Sequence, residues 1–274
     1  MGRELRIKIW GTRGSFPAAV QNRMEYGGNT LCISAELSDR ILVMDAGSGL
    51  ACLGEWIRKT GKPQRIDLFL SHLHLDHIMG LLKFAPFFDK EMEIHLYGET
   101  RDGHSLREML ERFISPPWWP VGFPDFQARL YFHEVKAGER MQISDELAYS
   151  SFRANHPNLG LLYRFELGEK SLLYGLDCEM DESIWEALAA FSKNCDLLIC
   201  DGQYDAEELK TKKGWGHSSW EQAVKLRKAA KAGMVLITHH AWESTDDILR
   251  VREKAARETD AHCLFAREGL EVVV

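Results

Sequence analysis

The sequence predicts a layered α/β protein, on three observations. Short β-prone runs recur through both halves of the 274 residues, helical patterns are interspersed among them, and no linker or repeat of roughly 20–50 residues divides the chain. This mixture fits neither a helical bundle nor an all-β barrel. The length suits one large core, so a single domain over residues 1–274 is expected.

In chain order, the first half offers strands at residues 5–10, 30–37, 41–45, 66–71 and 93–97, with helical patterns at 50–59 and 78–88. The second half offers strands at 130–135, 147–154, 161–167, 171–176, 196–200, 234–238 and 270–274, with helical patterns at 182–191, 219–231 and 246–258. Residues 115–126 read SPPWWPVGFPDF, too rich in proline and bulky rings for a regular element. They suit a surface loop packing its own rings, or a lid over a site, or a subunit contact. Trp118, Trp119 and Phe123 therefore leave a homodimer open.

The composition, 45% apolar and 27% charged, is that of an ordinary globular chain. The net charge of −7 predicts no broad nucleic-acid binding, because such affinity rests on Lys and Arg neutralising phosphates. It leaves a small-molecule or nucleotide-like substrate open, since bound cations would present local positive charge. Six cysteines (Cys32, Cys52, Cys178, Cys195, Cys200, Cys263) form no CxxC pair, and residues 1–8 hold no apolar leader-like run. Reduced thiols and a cytoplasmic location are expected. No apolar stretch approaches the roughly 20 residues of a membrane helix, so no membrane partner is expected.

The chemistry concentrates in Asp67-Leu-Phe-Leu-Ser-His72-Leu-His74-Leu-Asp76-His77. An apolar, β-prone run leads into it, so these side chains emerge where a buried strand ends. His72 and His74 stand two apart and share a face in extended backbone, where they can share one ion. Asp76 and His77 follow after the chain turns and can point to a neighbouring ion. Imidazole with carboxylate suits zinc first, with manganese or iron accepting the same donors.

SHLHLDH resembles the HxHxDH signature of the metallo-β-lactamase superfamily, and further motifs of that family follow in order along nearly the whole chain. The resemblance implies a four-layer αββα sandwich with two divalent metal ions at one edge. It implies that Asp45, in LVMDAGSG, braces the metal loop; that His156, in ANHP, completes the first ion with His72 and His74; and that Asp177, in LYGLD, bridges both ions. His239 or His240, after MVLIT, would serve the second ion beside Asp76 and His77, with His239 favoured as the first residue past the strand.

Gly214-Trp-Gly-His217-Ser-Ser resembles a motif of the phosphodiesterase branch, which includes tRNA 3′-processing endonucleases and cyclic phosphodiesterases. The resemblance gives His217 to the leaving group as a proton donor. The plainer reading is a neighbour of the helix caps Ser218 and Ser219. Arg13, in WGTRGS, could meet a phosphate or pin a loop. The expected enzyme is a metal-dependent hydrolase, with Asp76 orienting a metal-bound hydroxide that attacks a small or cyclic nucleotide-like phosphodiester. The alternative is a lactone, thioester or β-lactam hydrolase on the same site.

Overall fold

The structure is a computed structural model and describes residues 4–61 and 63–274. Its strands fall into two seven-stranded sheets. The first holds β1 (Arg6–Gly11), β2 (Cys32–Glu36), β3 (Ile41–Met44), β4 (Arg65–Phe69), β5 (Glu93–Gly98) and β6 (Arg129–Glu134). The second holds β7 (Arg140–Ser144), β8 (Leu147–Arg153), β9 (Leu161–Leu167), β10 (Lys170–Gly175), β11 (Leu197–Asp201), β12 (Met234–Thr238) and β13 (Cys263–Phe265). β14 (Glu271–Val273) returns to pair with β1 in the first sheet. Strand order is β14-β1-β2-β3-β4-β5-β6 in one sheet and β13-β12-β11-β10-β9-β8-β7 in the other. In each sheet one half is antiparallel and the other parallel, with β3 to β6 and β10 to β13 running the same way.

Alternation within the central strands builds the layers. Leu42 and Met44 of β3 and Leu197 and Ile199 of β11 enter one shared core between the sheets. Their neighbours Ile41 and Val43 face a second core, and Leu198 and Cys200 a third. Side chains on a strand alternate faces, so apolar residues on both faces demand cover on both sides. Helices supply that cover. α1 (Gly49–Thr60), α2 (Leu75–Ile78) and α3 (Leu106–Phe113) belong to the outer core of the first sheet, and α4 (Trp185–Phe191), α6 (Trp220–Ala230) and α7 (Asp246–Thr259) to that of the second, with the four-residue α5 (Ala206–Leu209) between α4 and α6. The arrangement is the expected αββα sandwich.

Several elements depart from the sequence reading. The helix expected over 78–88 is broken into α2 and two 3-10 turns, Met79–Lys83 and Ala85–Phe88. Gly80 presses against the chain at Ala46 and Gly47, and a Cβ there would stand 2.0 Å from the Gly47 carbonyl. The exposed edge strand β7, the three-residue β13 and α3 were not expected. α3 carried its signal in Ser105 and Glu108, which form a reciprocal capping box.

The proline- and aromatic-rich segment 115–126 lies away from the strand ends that carry the histidines. Trp119 to Val121 line a groove with the C-terminal half of α1 and with Glu91 and Met92, which precede β5. Phe126 stacks on Phe87 at 4.5 Å, and Phe123 lies 5.7 Å from Phe132. The loop packs its own rings against the first sheet's outer core rather than covering the histidines. All six cysteines are unpaired, and only Cys52 is exposed. Among the described residues no helix is long and apolar enough to cross a membrane.

Candidate metal centre

The parallel halves of the two sheets bring the chemistry-bearing residues to one edge. Asp45 follows β3, His72 follows β4, Asp177 follows β10, Asp201 ends β11 and His239 follows β12. His156 enters from the loop after β8. Strand ends of open α/β sheets are where ligand sites form, because the loops there are free to diverge. Three of these residues hold left-handed backbone: Asp45 at φ 57°, Asp177 at 49° and His239 at 60°. Such conformations persist where surrounding contacts over-determine them, and they concentrate at functional sites.

Three overlapping groups of donors result among the described residues, one of them Asp177, Asp201, His217 and His239. His72, His74 and His156 converge with Asp177, and Asp76, His77 and His239 form a neighbouring set. The carboxylate of Asp177 is split between them. Its Oδ2 lies 3.7 Å from His72 Nε2 and 3.6 Å from His156 Nε2, while its Oδ1 lies 3.3 Å from His77 Nε2 and 3.1 Å from His239 Nε2. Asp76 Oδ2 lies 3.4 Å from His77 Nε2 and 3.5 Å from His239 Nε2. Donors roughly 2.1 Å from one tetrahedral ion would stand about 3.4 Å apart, so the spacing fits.

The hydrogen-bond ledger fits as well. His72 Nε2, His77 Nε2, both ring nitrogens of His239 and Asp177 Oδ1 are buried without a hydrogen-bond partner. Buried polar atoms are normally satisfied, so this convergent group has room for a cation's demand. Its electrostatics agree. Burial pushes His72 well below its ordinary value and His156 down to about 4, keeping these two imidazoles neutral as ligands require, while Asp177, Asp76 and Asp45 outweigh burial at His77 and hold it well above its ordinary value. Burial opposes charge on Asp177 and Asp76, yet neighbouring histidines hold both below the usual carboxylate range. The residues present fit divalent metal ions.

A brace stands behind the clusters. Asp45, fully buried, accepts from Ser71 N–H (2.8 Å), Ser71 Oγ (2.8 Å), His77 Nδ1 (2.7 Å) and Tyr174 OH (2.8 Å). With Nδ1 hydrogen-bonded to Asp45, His77 presents its Nε2 toward Asp76 and Asp177. Ser71 Oγ also lies 3.0 Å from His72 Nδ1, so one carboxylate orients both rings. Asp76 is held by the Ser15 N–H at 2.7 Å. Gly14 lies so close to His239 that a Cβ would meet its ring at 2.3 Å.

His217 joins this edge. Its Nδ1 lies 2.8 Å from Asp201 Oδ2 and 3.9 Å from Asp177 Oδ2, and its ring stacks on His239 at 5.0 Å. Burial disfavours its charged form, but Asp201 and Asp177 outweigh that and push it up to about 9. The helix-cap role falls to Ser219, while Ser218 Oγ binds the Cys178 carbonyl and the Met180 N–H, tying the loop to Asp177. Asp201 was missed from the sequence. The strand expected at 196–200 stops one residue short of it, although LLICD read through would have put a carboxylate at a strand end.

The two open choices resolve by geometry. His240 turns away, with Nε2 bonded to the Ala266 carbonyl and its ring stacked on Phe265, so His239 is the one in the cluster. Arg13 is buried and donates to the carbonyls of Gly27, Ala241, Ser244 and Arg23. It pins loops.

A fold of two mixed sheets between helices, with a histidine- and aspartate-lined edge, defines a metallo-β-lactamase-type hydrolase. The beta-lactamase superfamily domain matches residues 40–240, and the chain belongs to that family of metal-dependent hydrolases. Its relatives include ribonuclease Z of Thermococcus gammatolerans, 23% identical over 96% of this chain and 93% of that protein. The probable metallo-hydrolase YhfI of Bacillus subtilis is 26% identical over 91% of this chain and 93% of that protein. The YhfI crystal structure superposes with a TM-score of 0.73 at 21% identity, covering all of both chains. Human tRNase Z, short form, superposes with a TM-score of 0.70 at 17% identity, covering 97% of this chain and 98% of that one.

These relatives overturn one expectation. A partner set without broad nucleic-acid binding was read from the net charge of −7, yet nearly full-length relatives are named as ribonucleases. Net charge is a sum over the whole surface, whereas binding responds to the local field at a site, to which bound cations contribute.

Proposed function

We propose that this single-domain hydrolase cleaves phosphodiester bonds in a nucleotide-containing substrate. His72, His74 and His156 would hold one ion and Asp76, His77 and His239 a second, with Asp177 between them; zinc suits the nitrogen and oxygen donors best. When bound, the pair would polarise the phosphoryl oxygens and ease deprotonation of a water. Asp76, fixed by the Ser15 N–H, orients the attacking water through its carboxylate. His217 holds a proton for the departing oxygen. Asp201 takes the Nδ1 side of the ring, leaving Nε2 as the nitrogen that exchanges with substrate.

The observation that carries this reading is the His217–Asp201 pair beside the Asp177 carboxylate. An alkoxide leaving group needs a proton, and a histidine poised by a carboxylate supplies one. The test is turnover of bis(p-nitrophenyl) phosphate by metal-loaded protein, with an Asp76→Ala control and a lactone and thioester panel alongside. Phosphodiester cleavage lost in the control supports the reading. Consumption of a lactone or thioester with no phosphodiester cleavage overturns it.

A further inference from the structure

The rim of the histidine edge is apolar, although the site itself is polar. Phe16, Leu75, Leu159 and Trp215 are all exposed large hydrophobics. Each sits on a segment that delivers a site residue. Phe16 follows Ser15, the partner of Asp76; Leu75 lies between His74 and Asp76; the Leu159 N–H donates to the His156 carbonyl; Trp215 is two residues before His217. Isolated surface hydrophobics need no explanation, but four of them beside residues of one site mark a candidate contact surface.

Trp215 is the member with a defined setting. It stands between Gly214 and Gly216, at φ 82° and 83°, conformations that glycine adopts without strain. The Gly214 N–H is anchored on Glu179 Oε2 at 2.7 Å, and Gly216 lies so close to the His156 ring that a Cβ would meet it at 2.2 Å. The loop is thus clamped between two site loops while the indole is 56% exposed. Lys212 Nζ lies 4.1 Å from the centroid of the indole and 6.0 Å from that of Tyr204, whose ring meets His217 edge-on at 6.0 Å.

The geometry points to a nucleobase subsite: Trp215 stacks on a base of the substrate while Lys212, beside it, meets a phosphate. This rests on the phosphodiesterase reading and deepens it by assigning the residues that hold the base and its phosphate. With the Lys212 ammonium over one face of the indole, the opposite face serves the base while the cation takes the charge of the phosphate. An alkyl chain would gain nothing from Lys212.

The experiment compares wild type, Trp215→Ala and Trp215→Phe on two esters with the same leaving group, thymidine 5′-(p-nitrophenyl phosphate) and methyl p-nitrophenyl phosphate. Trp215→Ala should raise KM for the thymidine ester by roughly five-fold or more beyond any change for the methyl ester, with kcat little affected and Trp215→Phe recovering most of the loss. Equal changes for both esters would overturn the subsite. Should neither ester be cleaved, the phosphodiesterase reading fails, and equilibrium binding of adenosine 5′-monophosphate against ribose 5-phosphate judges the platform by itself. A preference for the nucleotide that disappears in Trp215→Ala supports it; equal binding by the wild type overturns it.

Discussion

Asp45→Asn isolates the brace behind the candidate metal centre. Asparagine tolerates left-handed backbone at least as well as aspartate, so the φ of 57° is not the variable being tested. What changes is the acceptor count. Asp45 Oδ2 receives three donors and Oδ1 receives the Ser71 N–H. An asparagine oxygen placed at Oδ2 keeps the three but turns its NH2 toward the Ser71 N–H, two donors facing each other in a fully buried setting. One unsatisfied buried group costs about 1–3 kcal/mol. Loss of the negative charge also weakens His77 as a donor, and changes of this kind lower metal affinity by roughly 10–100-fold. The assays are urea unfolding of metal-free protein and metal titration against a competing chelator. A folded Asp45→Asn protein with wild-type metal affinity would refute the reasoning.

Four further outcomes follow from the same geometry. His217→Ala should lower kcat by roughly 10²- to 10⁴-fold for phosphodiesters with an alkoxide leaving group, far more than for p-nitrophenyl esters, while metal content, read by elemental analysis, stays at the wild-type level. Asp177→Ala removes the carboxylate that faces both donor sets, and the second metal equivalent should be lost from a chelator titration. Gly216→Ala should weaken metal binding by tenfold or more in the same titration, since its Cβ strikes His156. Gly214→Ala, with similar φ but open space around it, serves as its control. Arg13→Met strips four carbonyls of a buried charged donor and should destabilise the fold by about 3 kcal/mol or more, measured by the shift in urea midpoint.

The sequence made the site more legible than the elements around it. SHLHLDH places four donors within six residues, and the apolar run before it reads as a strand whose end projects them. Strands buried on both faces, such as Met234–Thr238, were legible for the same reason. What escaped was set by long-range contact. The helix expected over 78–88 broke because Gly80 meets a loop more than thirty residues earlier, a contact no local pattern contains. Asp201 gained its part from His217, and Arg13 its loop-pinning role from carbonyls at both ends of the chain. The net charge misled about partners because it averages over the whole surface, whereas binding responds to the local field at a site.

The central claim is a two-ion centre divided by Asp177, and the most direct test is the number of divalent ions bound per chain. Metal-free protein titrated with zinc or manganese and read by elemental analysis should saturate at two equivalents. Saturation at one equivalent or fewer, in protein shown to be folded, would contradict the account.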